Sequence, residues 1–253
     1  MYTFQAGLGL PDKEYYLKDD EKSVSLRAKY QEHVAQMLTL AGIEGAKGGA
    51  ETIMKMESEM ASQQMDKEKT RDIVGLYNKH SRADLKALMP DFDWDTYLTE
   101  AGLGDAESLV VAMVDYSKAL NDLIKNTDLA SWKMYLKWHL VDANANRLNE
   151  ALDKQNFAFR GTEMTGAKEQ QESWRRGVGV VNNTVGEVVG KVYVKRHFPP
   201  QAKEKMQTLV KHLIDAYEVS IKELTWMSDA TKKEALDKLS KFNPKIGYPD
   251  VWK

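Results

Sequence analysis

The 253-residue sequence contains no cysteine. That excludes a thiol nucleophile, a disulfide framework and a thiolate metal site, while leaving the compartment open. No run of about 18 apolar residues occurs, so the sequence offers no candidate transmembrane helix. Residues 1–10 lack the basic start and apolar block of a secretory leader. Neither sign of charge dominates: 36 Lys and Arg against 38 Asp and Glu leave a net charge of −2. A broad basic field of the kind that attracts nucleic acid or an anionic membrane is therefore absent. Charge of mixed sign suits solvated helix faces instead. Proline is scarce: Pro11, Pro90, Pro199 and Pro200 punctuate the apolar-periodic runs, and Pro244 and Pro249 lie in the terminal stretch. Scarce proline with helical periodicity predicts a mainly α protein. The length fits one large domain or two small ones.

Apolar spacing places the helices. Leu26, Tyr30, Val34, Met37 and Leu38 form one stripe over 22–40, which Gly42 should end, since glycine tolerates the left-handed cap. Ile53, Met56 and Met60 mark a second helix over 49–65, and Ser81 and Asp93 are candidate N-caps of short helices. Leu109, Val110, Val111, Met113 and Val114 read as a short extended segment at 108–114. Helix is expected again over 117–124 and, as a single long element, over 128–157, carrying Trp132, Tyr135, Leu136, His139, Leu140 and Leu148. Residues 161–167 read as a loop. The stretch 169–193 is helical but rich in valine, a poor helix former, so packing must hold it. Met206, Val210, Leu213, Tyr217, Ile221 and Leu224 recur at spacings that make one face, expected to be buried. Ser228 should cap a last helix through 239, and 243–253 reads as loop.

Few motifs carry chemistry. There is no His-Glu-x-x-His, no two histidines stand four apart, and no Gly-x-Ser-x-Gly elbow occurs. His139 with Asp142, and His212 with Asp215, are paired at i,i+3 and so share a helix face. Two such helices face to face could hold a carboxylate-bridged metal pair, but di-metal bundles use Glu-x-x-His, which is missing. Surface or capping roles for these imidazoles are the simpler reading. Gly161 to Lys168 departs from a phosphate-binding loop: the lysine comes one place late, no Ser or Thr follows it, and no strand precedes it. Arg175 and Arg176 are candidates for a bidentate grip on a peptide carboxylate. Adjacent helical residues diverge by about 100°, so the alternative is favoured, with Trp174 anchored in the core and the arginines paired to acidic neighbours.

Several short motifs, in order along the whole chain, resemble the neprilysin/endothelin-converting enzyme family of zinc metallopeptidases, with an oligopeptidase O-like bacterial member as the nearest type. They are Gly7-Leu8-Gly9-Leu10-Pro11, Leu76-Tyr77-Asn78, Phe159-Arg160-Gly161-Thr162, Trp174-Arg175-Arg176, Gly190-Lys191-Val192-Tyr193-Val194, Leu224-Thr225-Trp226-Met227 and Ile246-Gly247-Tyr248-Pro249-Asp250. The resemblance implies a two-lobed protein. One lobe carries the zinc; a helical lobe caps it and encloses a cavity that admits peptides and excludes folded proteins. Residues 1–253 correspond to an internal portion of the non-catalytic N-terminal region. The family's zinc helix, its later Glu-x-x-x-Asp and its substrate-edge Asn-Ala-Phe/Tyr do not occur, so no catalytic or metal-binding residue carries over. Zinc is then a cofactor of the parent protein and not of this chain. The missing cysteines imply a bacterial origin. The resemblance favours a periplasmic or envelope location and leaves the cytoplasm open.

The sequence thus predicts a multi-helix, lid-type region of a zinc metalloendopeptidase, inactive alone, with the catalytic lobe of the same protein as partner and peptides as the parent's substrates. A stand-alone helical module that binds a protein or peptide without catalysis is the rival. Apolar surface separates them. A lid region exposes broad apolar faces where the other lobe belongs, whereas a stand-alone module covers its core and leaves one bounded groove.

Overall fold

The computed structural model describes residues 1–252, and they form a mainly α protein with one small sheet. In chain order the elements are β1 (Tyr2–Thr3), α1 (Glu14–Leu17), α2 (Glu21–Leu40), α3 (Ala46–Gln63), β2 (Lys79–Ser81), α4 (Arg82–Leu88), α5 (Trp94–Glu100), β3 (Ser108–Val111), α6 (Val114–Asn126), α7 (Leu129–Asn144), α8 (Glu150–Asn156), a π-helical segment (Phe157–Glu163), α9 (Ser173–His197), α10 (Pro200–Glu223) and α11 (Asp229–Ser240). They group into two compact units, Met1–Gln170 and Gln171–Lys253.

Local chemistry sets the boundaries in the first unit. The Asp20 carboxylate accepts from the Ser23 backbone N–H at 3.0 Å and starts α2. Gly42, at φ +70°, ends it, and the Ile43 N–H closes back on the Leu38 carbonyl at 2.9 Å. Ser81 and Asp84 form a reciprocal capping box on α4, and Asp93 caps α5 through the Thr96 N–H. The extended segment near 108 is the central strand of the sheet, order β1-β3-β2. It runs parallel to β1 (Tyr2 opposite Val110) and antiparallel to β2 (His80 opposite Leu109). Only Ser108–Val111 is strand, however: Val114 already belongs to α6, which is longer than its apolar pattern suggested.

Two further expectations need correction. The single helix over 128–157 is broken. A 3-10 turn at Ala145–Arg147 follows α7, Leu148 leaves helical geometry (φ −90°, ψ −142°), and the Asn149 side chain caps α8 by accepting from the Leu152 N–H. Asparagine competes with the helix for backbone hydrogen bonds and favours caps, and this stretch carries Asn144, Asn146 and Asn149. The break lets α8 fold back on α2 and bury Leu152 and Phe159. The loop expected at 161–167 is helical in its first part: the π-helical segment runs to Glu163, and the turn ends at Gly166, φ +73°.

The first unit buries its apolar stripes in two clusters. One joins α1, α2, α3, α7, α8 and the π-helical segment around Tyr30, Met37, Ile53 and Trp138; the other joins α4, α5 and β3 around Leu85, Leu98 and Leu109. The second unit differs. From Gln171 to Trp252 no described residue is buried. Helix α10 packs on α11. The tail returns so that Lys203 donates to the Tyr248 carbonyl (2.8 Å) and to Asp250 (2.6 Å), while Phe198 meets the Tyr248 ring edge-on.

Candidate functional site

Two features stand out, one in each unit. In the first, side chains hold the backbone of residues 6–10 at four of its polar atoms. Ala6 O accepts from the Tyr116 hydroxyl (2.6 Å) and Gln64 Nε2 (3.2 Å), Gly7 O from the Tyr135 hydroxyl (2.7 Å), and Gly9 O from the Arg160 guanidinium, while the Leu10 N–H donates to the Tyr16 hydroxyl (2.8 Å). This closeness explains the glycines. Gly7 sits at φ +92°, and a Cβ there would lie 2.7 Å from the Tyr135 hydroxyl; a Cβ at Gly9 would overlap the Tyr30 hydroxyl.

One of these side chains, Tyr16, also reaches Glu57, which is fully buried. Tyr16 donates to it at 2.6 Å and Tyr30 at 2.8 Å; Tyr30 in turn accepts from the Trp138 indole at 3.2 Å. His139 Nε2 stands 3.2 Å from Glu57 Oε1, within ion-pair range but outside hydrogen-bond geometry. Arg160 spans Gly9 O and the Asp142 carboxylate, the latter at 2.7 Å. Burial, reinforced by the Glu57 charge, pushes the Tyr16 and Tyr30 phenols well above the usual range. Burial also raises the Asp142 carboxyl against the opposing pull of Arg160. His33, stacked on Phe159 at 4.6 Å, is pushed down to about 3 by burial, with the Arg160 charge adding to it. The sequence reading passed over Glu57. Its signal was present: a carboxylate beside Met56 on the stripe defined by Ile53, Met56 and Met60, where α3 otherwise turns an apolar face inward.

In the second unit the stripe read from the sequence is real but open, which corrects the expectation of burial. Met206, Leu213 and Tyr217 on α10 are 42%, 52% and 56% exposed, and no residue of α10 is buried. The valines of α9 are equally uncovered: Val178, Val181, Val188 and Val192 all count as exposed, and the helix kinks at Val185 (φ −129°, ψ 30°). Trp174 is likewise no core anchor: it is 63% exposed, its indole N–H bonded to Glu172 at 2.8 Å and its ring under the Arg175 guanidinium at 5.0 Å. Arg175 also reaches Glu172 (3.6 Å), whereas Arg176 donates to the Gln171 carbonyl (3.1 Å).

The paired imidazoles do not assemble a metal site. Among the described residues no group of three or more His, Cys, Asp or Glu could hold a metal ion. His139 faces Glu57, Asp142 is engaged by Arg160, and His212 and Asp215 share an exposed turn of α10 at 4.0 Å. Also among the described residues, no helix is long and apolar enough to cross a membrane.

Sequence motifs and helical architecture together point to the mainly helical N-terminal region of a metallopeptidase family. The N-terminal-domain model of Peptidase family M13 matches residues 1–249, and the chain belongs to that family. Among curated relatives, endothelin-converting enzyme-like 1 of Mus musculus is 28% identical over 251 residues, which is 97% of this chain and 32% of that protein. The crystal structure of the Mycobacterium tuberculosis zinc metalloprotease Zmp1 with an inhibitor aligns at 38% identity and a TM-score of 0.90, covering 100% of this chain and 38% of that one. PepO from Lactobacillus rhamnosis shares the fold (TM-score 0.80, 20% identity, 98% of this chain and 40% of that one). The chain thus spans about a third of the curated relatives' length.

Proposed function

We propose that this chain is the helical cap region of a zinc metalloendopeptidase, which limits access of peptides to a central cavity while the zinc and the catalytic groups reside elsewhere in the same protein. The observation that carries this reading is the second unit: helices α9 and α10 bear apolar stripes, yet no residue from Gln171 to Trp252 is buried. Apolar faces of this extent cost solubility unless a partner covers them. The relatives supply the scale of such a partner, since the chain covers 38% of Zmp1, a zinc metalloprotease. A stand-alone binding module would instead close its core and keep one bounded groove, and the uncovered stripes on two successive helices speak for the cap.

Arg175 and Arg176 remain the positions we offer for contact with a substrate carboxylate in the complete protein. Arg175 is the better placed: it is exposed, and its guanidinium is held over the Trp174 ring. The test compares the 253-residue chain with the complete polypeptide containing it, each with zinc, on a short peptide and on a folded protein. The reading expects no turnover by the chain alone, and cleavage of the short peptide only by the complete polypeptide. Zinc-dependent hydrolysis by the chain alone would refute it.

A further inference from the structure

A groove in the first unit, between α3, α6 and the start of α7, is not used by the cap reading. It encloses about 610 Å³. That volume falls in the range of sites for small ligands and a few side chains. Its floor is apolar and fixed from behind. Met56, Met60 and Tyr116 are buried there. The Tyr116 hydroxyl is committed to Ala6 O at 2.6 Å, and the Tyr135 hydroxyl meets Met60 Sδ at 3.8 Å. Leu120 and Leu123 of α6 add a half-buried wall. Methionine is unbranched and polarizable, so such a floor accepts apolar side chains of varied shape.

The rim is charged, mostly with one sign. Glu59, Asp122 and Asp128 line the groove and are exposed, against one cation, Lys55. Elsewhere on the surface, acids and bases four residues apart neutralise each other, as Glu150 does with Lys154 and Glu218 with Lys222. Lys55 precedes Glu59 by four, the less favourable order on a helix, and the two form no ion pair. None of the four rim residues belongs to an ion pair among the described residues. The Ser131 N–H and hydroxyl hold the Asp128 carboxyl below the usual range, so it stays anionic. An apolar floor inside a mainly acidic rim is complementary to a peptide that carries lysine or arginine beside apolar side chains.

We propose that this groove binds short basic, amphipathic peptides, with apolar side chains seated on Met56, Met60 and Leu123 and cationic ones against Glu59, Asp122 and Asp128. The site names a class of peptide for the cap reading, on which it rests only for the origin of that peptide.

The test follows the fluorescence anisotropy of a labelled peptide of alternating lysine and leucine, about ten residues long, added to the 253-residue chain. Binding should saturate and weaken about tenfold in about 0.5 M salt. Glu59→Lys together with Asp122→Lys should weaken it about tenfold at low salt. Glu204→Lys together with Glu223→Lys, at two exposed acids of α10, makes the same change in net charge and should stay within about twofold. Equal losses in the two double variants would overturn the site, as would equal affinity for a peptide with glutamate in place of lysine. In the wild type the amide resonances of Ala119 and Leu123 should shift during the titration, and shifts confined to α9 and α10 would also overturn it. The complete polypeptide, stripped of zinc so that the peptide survives, should bind it too; loss of binding there would mean that the rest of the protein occupies the groove, against the proposal. The cap reading fails separately, if the complete polypeptide with zinc cleaves no peptide.

Discussion

The two units of this chain are made of similar amphipathic helices, and only the first closes around a core. In Met1–Gln170, α2, α3 and α7 turn Tyr30, Ile53 and Trp138 to full burial. From Gln171 onward, α9 and α10 carry stripes of the same spacing and bury nothing. Periodicity therefore establishes that a face is apolar, but not what covers it. The first unit has partners for its stripes within its own fold; in the second, the stripes of α9 and α10 stay largely exposed, and the proposed cap role rests on that exposure.

The comparison can be broken most sharply at Trp138. It is fully buried, stacks edge-on against Tyr30 at 6.1 Å and bonds its hydroxyl. Trp138→Ala should cost about 3–5 kcal/mol, the range for deleting a buried aromatic, and chemical denaturation should show the first unit losing its cooperative transition. A loss below about 1 kcal/mol would mean that the core described here is not what holds the unit.

A smaller effect comes from pH. His33 binds its proton less well in the folded chain, where it is held down to about 3, than in the unfolded one, where an ordinary imidazole titrates near 6.5. Between those values the unfolded state carries more protons, so stability rises with pH through this window and is lost as pH falls. His33→Phe should retain the stack on Phe159 and remove this loss. Between pH 7 and pH 5 the wild type should lose about 2 kcal/mol relative to the variant, measured by urea unfolding at each pH. Identical pH profiles would contradict the burial assigned to His33.

The smallest effect belongs to the second unit. Leu213→Ala on α10 removes a side chain that is 52% exposed. In the chain alone it should change stability by no more than about 0.5 kcal/mol, as surface substitutions do. In the complete polypeptide the same change should cost on the order of 2 kcal/mol or more, if the face is covered there. Equal small costs in both settings would separate the apolar stripe from any docking role.

Much of the architecture was legible in the residues. Gly42, Ser81, Asp93 and Ser228 each marked a helix boundary, because capping is a local contest for a few backbone groups and leaves a local signature. The break between α7 and α8 was less so: Leu148 kept the apolar spacing going across it, and only the three asparagines of 144–149 hinted at a cap. The strands β1 and β2 gave no periodic signal, being two and three residues long. The family was readable from ordered motifs, while the reason for one of them was not. Gly7 and Gly9 are required by hydroxyls of Tyr135 and Tyr30, which lie far away in sequence and meet the segment only after folding. Glu57 was missed because a single carboxylate on an apolar face resembles solvent-facing charge until its phenols are in view. Trp174 is the reverse case, an aromatic that reads as a core anchor and stands 63% exposed.

The account rests on α9 and α10 being faces awaiting cover. Amide hydrogen exchange of the 253-residue chain, compared with the same residues inside the complete polypeptide, tests this most directly. The account predicts that amides of α10 around Leu213 and Tyr217 exchange rapidly in the chain alone and become strongly protected in the complete polypeptide, while those of α2 and α3 are protected in both. Equal protection of α10 in the two settings would contradict it.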